Sequence, residues 1–376
     1  MTQFAQTHPG STLTINDVPQ NQTDQKLQLE GAQNALPDMF FGPGTPAAQK
    51  QMCDQGLSLN IGDAADKLGV TAAFNPAAVK VIENQQGGKL CAIPFELNME
   101  GFWYNTKIFS ANGLTPPATW DALVSDAAAL SAKGIQPFAA SGLQGWPLTR
   151  LISGYIFRDQ GPDAMQKIAD GTAKLTDPEY VKAAAAVAAL GSKNYFGKGV
   201  ASLDYSPAEA EFLTGKAAMF YMGSWALSDF NTASLNQIGD SNIGFFPFPA
   251  VAGGSGSIDQ TPENAGQPVM ISAKSYNANP AMADWLKFVL QNYGAAAIAL
   301  GDLSGFAIAQ TPATLPNTTK LAIAELAATK TPVGWFETLF NAKATNVSQT
   351  NAARLVTGSL SAQSFMSTVQ AAVPGS

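Results

Sequence analysis

The sequence predicts an α/β protein built from two domains. Strand-like and helix-like segments alternate along the chain, which is the order typical of an α/β fold. The chain has 376 residues, which is too many for one ordinary core and fits two domains of about 150 to 200 residues each. Hydrophobic residues make up 46% of it, and it contains no run of about 18 consecutive apolar residues. We therefore expect two packed cores and no membrane-spanning helix in this sequence.

The first predicted elements precede residue 105. A short helix over 1–7 is followed by an alternating segment over 12–15 that predicts a strand. A helical stretch that begins at Asp24 leads to the apolar strand Met39–Phe41, and residues 89–94 have an extended, apolar-rich pattern. This alternation predicts a largely parallel sheet in the first domain.

The middle and the end of the chain predict a second set of elements. Ala-rich helical segments alternate there with apolar strands. The predicted helices are 122–132, 181–190, 208–213, 280–300 and 361–372, and the predicted strands are 137–140, 217–222, 243–246 and 268–273. Segment 101–104, which precedes them, is predicted to be extended like 89–94.

The composition excludes several classes of function. Charged residues make up only 13% of the chain and the net charge is −7, whereas nucleic-acid binding needs a concentrated face of Lys and Arg. The single histidine, His8, and the two cysteines have none of the spacings of a CxxC metal site or of a Ser/His or Cys/His nucleophile system. We therefore expect no metal, no cofactor, no catalytic residue and no nucleic-acid partner.

The two cysteines, Cys53 and Cys91, leave two alternatives open. An even number of cysteines in an exported protein permits one disulfide. Cysteine is also among the most buried residue types, which favours two buried free thiols.

Several motifs occur in a specific order over nearly the whole chain. They are LPDMF at 36–40, AIPFE at 92–96, WYNTKIF at 103–109, GL at 113–114 with PPATWD at 116–121, FLTGKAAM at 212–219 with GSW at 223–225, FPFP at 246–249, and a closing helix after Gly358. In this order and spacing the sequence resembles the family 1 extracellular solute-binding proteins, which are carbohydrate receptors of bacterial ABC importers related to maltose-binding protein.

The resemblance implies a type II periplasmic-binding-protein fold, in which a ligand cleft between two lobes closes by hinge bending. It implies that the chain crosses between the lobes more than once. Lobe one would comprise residues 1–105 and the returning segment 268–311, and lobe two would comprise 106–267 and the C-terminal helices in 312–376.

The resemblance also implies the function. The protein would be a monomer that binds a carbohydrate, an oligosaccharide rather than a monosaccharide, and delivers it to permease subunits in the membrane. It would work outside the cell membrane, in the periplasm or on the cell surface as a lipoprotein, and would be no enzyme.

The start of the chain departs from the family pattern. Residues 1–10 resemble the end of the family's first helix, which implies that the export signal and the first strand of lobe one are missing from this chain. We expect about 20 to 40 further residues upstream in the natural protein. The missing strand would lie between the segments 12–15 and Met39–Phe41.

Three tryptophans are the first candidates for the ligand site. Trp225 follows Gly223-Ser224, Trp335 follows Gly334, and Trp146 follows Gln144-Gly145. Flat aromatic rings stack on the C–H faces of sugars, and loops between rigid elements are where binding residues usually lie. The alternative for each is a core tryptophan, which is the interpretation we give to the other three, Trp103, Trp120 and Trp285.

The remaining candidates supply hydrogen bonds or the floor of the site. Glu96 and Asn98 follow a strand end, Phe41 and Gly42 end the strand Met39–Phe41, and the amides of Gln144 and Gln267 suit sugar hydroxyls. The alternatives are solvated loop or linker polarity, a core phenylalanine and a turn glycine.

Two other functions remain possible on the sequence alone. One is a receptor for another small solute, such as a peptide or a polyamine, but the candidate residues are aromatic and amide rather than acidic. The other is a carbohydrate hydrolase with Glu96 and Glu100 as its carboxylate pair. Such a pair needs a fixed separation across a cleft, and these two are only neighbours in sequence.

Overall fold

The structure, a computed structural model, describes residues 2–18, 20–266, 268–308 and 312–373. The chain divides into two compact units. Unit 1 consists of Met1–Leu97, Asn264–Ala299 and Leu303–Pro312, and unit 2 consists of Asn98–Glu263, Leu300–Asp302 and Ala313–Ser376. The predicted boundary at residue 105 lies at the end of a strand, 98–105, that belongs as a whole to unit 2.

Helices and short strands alternate through the described residues. The helices are α1 Thr2–Thr7, α2 Gln20–Ala32, α3 Pro46–Asp54, α4 Ile61–Leu68, α5 Pro76–Gln85, α6 Thr106–Ala111, α7 Trp120–Ala132, α8 Trp146–Gln160, α9 Ala164–Ala169, α10 Pro178–Ser192, α11 Tyr205–Leu213, α12 Leu227–Phe230, α13 Ala273–Ala278, α14 Ala281–Ala299, α15 Asn317–Ala328, α16 Ala342–Val356 and α17 Ala362–Gln370. The strands are β1 Met39–Phe41, β2 Asn98–Asn105, β3 Gln136–Ala139, β4 Ala217–Gly223, β5 Ile243–Phe246, β6 Gln260–Asn264, β7 Val269–Ile271 and β8 Thr331–Val333.

Unit 1 is built around a two-stranded sheet. Strand β1 pairs antiparallel with β7, with Phe41 opposite Val269, and Ile93 forms a single bridge to Val269. The prediction of a largely parallel sheet is wrong for this described pair: β7, which returns from a distant part of the chain, runs antiparallel to β1. Helices α3, α4, α5 and α14 supply apolar side chains to the core around this sheet.

Two predicted extended segments of unit 1 differ in the structure. The segment 12–15 is irregular, and its apolar side chains Leu13 and Ile15 are 57% and 74% exposed. The prediction of a strand there is wrong, because alternation predicts a strand only where one face is buried. Segment 89–94 forms only the bridge at Ile93. The absence of a first strand between 12–15 and β1 stays a prediction.

The two cysteines of unit 1 are bonded to each other. Cys53 on α3 and Cys91 form a disulfide with a Cα–Cα distance of 5.9 Å, which lies within the range for such bonds. Both residues are buried, at 6% and 1% exposure. The interpretation that favoured free thiols is therefore wrong: burial and bonding occur together here.

Unit 2 is built around a six-stranded mixed sheet in the order β3-β4-β2-β6-β8, with β5 also paired to β2. The pairs β2–β4 and β2–β5 are antiparallel, and β3–β4 and β6–β8 are parallel. Every residue of β4 is buried, which explains its continuous apolar pattern. The predicted strands at 137–140, 217–222 and 243–246 and the predicted helices at 122–132, 181–190 and 208–213 are confirmed within one to three residues.

The tryptophans that we assigned to packing lie in cores or against other rings. Trp103 is fully buried and its indole N–H donates to the carbonyl of Met222 over 3.0 Å. Trp120, at 6% exposure, stacks on Phe248 with ring centroids 5.4 Å apart. Trp285 packs at 5.1 Å, edge to face, against Phe4 in unit 1. In the described part of the chain, no helix combines the length and the apolar character needed to cross a bilayer.

Candidate functional site

The three candidate tryptophans lie together in unit 2. Trp146 is the first residue of α8, Trp225 lies in a 3₁₀ turn after β4, and Trp335 lies in the loop after β8. The rings of Trp146 and Trp225 are 5.7 Å apart in an edge-to-face arrangement. All three are half-buried, so each ring keeps an exposed part, and segments distant in sequence converge on one surface.

Tyr205, the first residue of α11, joins this group. Its ring stacks on Trp146 with centroids 6.0 Å apart and an interplanar angle of 24°. We call Trp146, Tyr205, Trp225 and Trp335 the aromatic cluster.

The turn that carries Trp225 is held from β2. The Ser224 hydroxyl donates to the amide oxygen of Asn98 over 3.1 Å and accepts from the backbone N–H of Met99 over 3.2 Å. The Trp225 ring lies over Gly223, where an added Cβ would come within 2.1 Å of the ring. Gly223 is therefore required for this ring position. Asn98 is only 2% exposed and stabilises the turn through its hydrogen bond with Ser224.

Gly145 fixes the start of helix α8 and with it Trp146. Its φ of 75° lies in the left-handed region, which favours glycine. An added Cβ would also lie 1.9 Å from the carbonyl oxygen of Gln349 on α16. The first turn of α8 thus approaches the backbone of α16 more closely than any side chain allows.

We expect Gly145→Ala to lower the free energy of unfolding of unit 2 by about 2 to 4 kcal/mol, because backbone strain adds to a backbone clash. Urea unfolding followed by circular dichroism measures this change. Gly171→Ala is the matched control, since Gly171 also has a positive φ, 70°, but has open space around its Cβ position. Equal losses in both variants would show that the contact with α16 contributes nothing.

Arg150 connects two rings of the aromatic cluster. It lies one turn after Trp146 on α8, and its guanidinium carbon is 4.4 Å from the ring centroid of Trp335 and 5.6 Å from that of Trp146. These distances suit cation–π attraction. Its Nη1 donates to Glu100 Oε1 over 3.0 Å. Arg150 side-chain exposure is 13% and that of Glu100 is 1%, so this is a buried ion pair.

A second buried carboxylate, Glu337, lies near the same guanidinium. Its Oε1 accepts from the hydroxyls of Thr149 and Ser348, and the residue is 4% exposed. Burial raises the pKa of both Glu100 and Glu337, and Arg150 acts against this rise at each. Arg150 thus offsets the charge of two carboxylates beneath the aromatic cluster.

A third acidic group supports Tyr205. Its hydroxyl donates to Glu209 Oε1 over 3.2 Å, and Glu209 is 3% exposed. Burial, followed by a hydrogen-bonding contact with Asp229, raises the pKa of Glu209 to about 8. Burial, followed by the charge of Glu209, also holds the pKa of the Tyr205 hydroxyl well above its usual range.

The other candidate residues occupy different places. In unit 2, the Gln144 amide oxygen accepts from the Trp146 indole N–H over 2.8 Å. In unit 1, Phe41 is 56% exposed at the end of β1. The Gly42 N–H donates to the carbonyl of Pro268, and Glu96 lies against Gly266. Gln267 lies outside the described residues.

The polar residues under the cluster were not predicted from the sequence. Arg150 follows Trp146 by four positions on a helix, a spacing that places both on one face, so this residue was within reach of pattern analysis. Glu337 follows Trp335 by two positions in a loop, and this spacing does not predict that the two side chains share a surface. Tyr205 and Glu209 come from a separate helix, and only the tertiary fold brings them to Trp146.

The site offers stacking surfaces rather than reactive groups. Within the ranges that the structure describes, no group of three or more His, Cys, Asp or Glu side chains could hold a metal ion. The carboxylates nearest the rings are buried and already accept hydrogen bonds. What the surface presents is a set of aromatic faces with a cation between two of them.

Comparison with known proteins gives consistent matches. The family model described as "Bacterial extracellular solute-binding protein" matches residues 1–296. The multiple sugar-binding protein of Streptococcus mutans is 29% identical over 173 residues, which are 45% of this chain and 40% of that protein. The sn-glycerol-3-phosphate-binding periplasmic protein of Yersinia enterocolitica is 26% identical over 235 residues, 58% of this chain and 49% of that protein. The matches thus span less than half the length of these curated relatives.

Solved structures match over more of the chain. A chitin oligosaccharide binding protein is 28% identical and has a TM-score of 0.86, with coverage of 98% of this chain and 91% of that chain. The solute-binding protein RafE, solved with raffinose, has a TM-score of 0.77 at 20% identity and coverage of 99% and 93%, which shows similarity of fold. These matches confirm the predicted two-lobed α/β fold.

Proposed function

Because this chain belongs to the bacterial extracellular solute-binding protein family, we propose that it is the carbohydrate receptor of an ABC importer. It binds a sugar without changing it and delivers it to permease subunits in the membrane. The observation that carries this proposal is the aromatic cluster of unit 2: the half-buried ring of Trp146 packs against Tyr205 and Trp225, and Arg150 lies over both Trp146 and Trp335.

The cluster suits a sugar for a physical reason. The C–H face of a pyranose ring is flat and apolar, and it gains both burial and electrostatic attraction from an aromatic face. Trp225 and Trp335 lie on separate segments, and Arg150 occupies the space between the rings of Trp335 and Trp146. Several ring faces on one surface favour an oligosaccharide, with more than one sugar ring stacked.

The remaining candidate residues are proposed as further ligand contacts. Gln144 and Asn98 in unit 2 and Glu96 in unit 1 supply amide and carboxylate groups, and Phe41 and Gly42 supply an apolar surface in unit 1. Gln267 completes the proposed set of ligand contacts.

The arrangement supports binding without catalysis. A glycosidase needs an acid that reaches the glycosidic oxygen and a second carboxylate at the sugar ring. Glu100 and Glu337 are 1% and 4% exposed; Arg150 forms an ion pair with Glu100, and its charge opposes the rise in the pKa of Glu337. These two carboxylates are enclosed in the protein rather than presented to a substrate.

The proposed location is outside the cytoplasmic membrane, in the periplasm or on the cell surface. The disulfide between Cys53 and Cys91 supports this location, because such bonds persist in oxidising compartments and are rare in the cytosol. We propose that the receptor acts as a monomer.

A thermal-shift screen tests the proposed ligand class. The panel contains neutral oligosaccharides, including chitin and raffinose-type sugars, together with glycerol 3-phosphate and a polyamine. A ligand at a hundred times its Kd raises the free energy of unfolding by about 2.7 kcal/mol, so a sugar in the binding range gives a clear shift. Stabilisation by glycerol 3-phosphate alone would instead favour the ligand named for the Yersinia relative. Product analysis after long incubation would detect hydrolysis.

We expect Trp225→Ala to weaken sugar binding by about 1 to 3 kcal/mol, or about 5- to 150-fold in Kd. The reason is the loss of one stacking face, since the ring is partly exposed above Gly223. Isothermal titration calorimetry measures the change. Trp285→Ala is the control, because Trp285 is also half-buried but packs against Phe4 in unit 1. Unchanged affinity in Trp225→Ala with a normal circular dichroism spectrum would remove Trp225 from the site.

A further inference from the structure

Glu337 joins two of the segments that carry rings of the aromatic cluster. It lies two residues after Trp335, in the loop between β8 and α16. Its Oε1 accepts a hydrogen bond from the hydroxyl of Thr149, which lies in the first turn of α8 together with Trp146. The same oxygen accepts from Ser348 Oγ on α16 over 3.2 Å. One buried carboxyl group thus connects the loop that carries Trp335 with α8 and α16.

The same two segments also meet at Arg150, which follows Thr149 on α8. Its guanidinium carbon lies 4.4 Å from the ring centroid of Trp335 and 5.6 Å from that of Trp146. Cation–π attraction acts over distances up to about 6 Å, whereas a hydrogen bond between two oxygens holds them to about 2.5 to 3.0 Å. The hydrogen bond between Thr149 and Glu337 therefore restrains the two segments more tightly than the stacking does.

The loop that carries Trp335 is fixed by its own contacts. The Trp335 N–H donates to Thr338 Oγ1 over 2.7 Å, and the Thr338 N–H donates to the Trp335 carbonyl over 3.1 Å. Phe336 is fully buried in the core of unit 2 and packs edge to face on Phe340, with ring centroids 5.1 Å apart. Because the backbone between Trp335 and Glu337 is held in this way, a shift of the Glu337 carboxyl group would move the ring of Trp335.

Stability alone does not explain a glutamate at position 337. A buried carboxyl group is unfavourable unless its oxygens are hydrogen-bonded, and Glu337 Oε2 is buried without such a partner among the described residues. The two hydroxyls that bind Oε1 have other acceptors within their own helices. Thr149 Oγ1 lies 3.0 Å from the carbonyl oxygen of Trp146, and Ser348 Oγ lies 2.8 Å from that of Thr345. What Glu337 adds is a connection between segments.

We infer that Glu337 is a positioning residue of the aromatic cluster. Its hydrogen bonds with Thr149 and Ser348 hold the neighbouring loop against α8 and α16, and the Trp335 ring is thereby kept stacked on Arg150. The carboxyl group is enclosed and touches no sugar, so it acts on affinity through Trp335. For the effect on ligand affinity, this inference rests on the proposed function; the effect on the position of the ring does not.

The first test follows the Trp335 ring without a ligand. The protein has six tryptophans and is labelled with 5-fluorotryptophan for ¹⁹F NMR, and Trp335→Phe assigns the resonance of Trp335. We expect this resonance to shift by more than its linewidth in Glu337→Leu, which lacks the acceptor at similar volume, and in Thr149→Val, which lacks one donor. In Glu337→Gln the amide oxygen still accepts from both hydroxyls, so the resonance should stay in place.

Ser153→Ala is the matched control for the first test. Ser153 is also buried on α8, but its hydroxyl donates to the carbonyl of Arg150 within the same helix over 3.0 Å. The resonance of Trp335 should not move in this variant. A resonance that is unchanged in both Glu337→Leu and Thr149→Val overturns the inference. A shift of equal size in Glu337→Gln or in Ser153→Ala overturns it as well. If Glu337→Leu does not fold, Thr149→Val decides the test.

The second test measures affinity for chitotetraose, or for raffinose if chitotetraose does not bind. We expect Glu337→Leu to raise the Kd about fivefold, the worth of one lost hydrogen bond. In the Trp335→Ala background the same substitution should change the Kd by less than about twofold. An equal rise in both backgrounds overturns the inference, because Glu337 then acts by a route other than Trp335. If no sugar binds but the ¹⁹F resonance of Trp335 depends on Glu337, the positioning role is supported and the proposed function is refuted.

Discussion

Replacing Arg150 with methionine is expected to lower the free energy of unfolding of unit 2 by about 3 to 5 kcal/mol, because removal of one partner leaves buried charge uncompensated. Two carboxylates are affected, since Glu100 bonds to Arg150 over 3.0 Å and the same guanidinium opposes the rise in the pKa of Glu337. Methionine keeps most of the side-chain volume, so the effect reports charge and hydrogen bonding more than packing.

The loss depends on pH in a specific direction. Burial already raises the pKa of Glu100 and of Glu337, and without Arg150 each pKa rises further. The carboxyl groups of the variant are therefore neutral over a wider acidic range, and the loss is expected to be smaller at about pH 5 than at about pH 7.5. Urea unfolding at the two pH values measures the difference.

Two further variants test this explanation of the Arg150 effect. Arg354→Met removes an exposed guanidinium on α16, which bonds to Asn351 over 2.8 Å, and should cost less than about 0.5 kcal/mol. The triple variant Arg150→Met, Glu100→Gln, Glu337→Gln removes all three charges and should recover much of the lost stability. A triple variant as unstable as Arg150→Met would show that the loss comes from packing against Trp335 and Trp146.

Removal of the disulfide is expected to destabilise unit 1 by about 3 to 4 kcal/mol, since the bond closes a loop with a sequence separation of 38 residues. Cys53→Ala/Cys91→Ala is the variant of choice, because both residues are buried at 6% and 1% exposure and a hydroxyl there would lack partners. Unfolding followed by fluorescence and circular dichroism measures the change, and the transition of unit 2 serves as the internal control.

Reduction provides an independent measurement of the same bond. Because both cysteines are buried in the core of unit 1, we expect dithiothreitol to reduce the native protein slowly and the urea-unfolded protein rapidly. Equal midpoints of unfolding for the oxidised and reduced protein would contradict a stabilising role for the bond.

Much of the fold follows from local patterns, whereas the polar part of the site does not. Strand β4 was predicted because its residues are continuously apolar, and helix α7 because its sequence is rich in alanine. The segment 12–15 has the alternating pattern of a strand but does not form one, and Ile15 is 74% exposed. Alternating apolar and polar residues show that a segment is compatible with a strand. They do not show that a partner strand is present to pair with it.

The candidate site likewise contains some residues that the sequence predicts and others that it does not. Trp146 and Trp225 were selected because aromatic residues after Gly-containing turns suit a binding surface, and the structure brings their rings within 5.7 Å. Glu209 gave no such signal, because an acidic residue in an Ala-rich helix is ordinarily solvated. Glu209 is only 3% exposed and accepts a hydrogen bond from the Tyr205 hydroxyl, one turn earlier on the same helix, over 3.2 Å.

The pairing of β1 with β7 constrains the order in which the protein can fold during synthesis. The partner of Phe41 is Val269, and at about 5 to 20 residues per second a ribosome needs about 10 to 50 s to make the chain between them. Cys53 and Cys91 are also synthesised before Val269, but their bond is expected to form only in an oxidising compartment, so it does not stabilise unit 1 during this interval. The long segment of unit 2, Asn98–Glu263, is also synthesised before Val269. The nascent chain thus carries an unpaired strand edge and exposed apolar side chains through this interval, which is the state that holding chaperones bind and that a delay in translation prolongs.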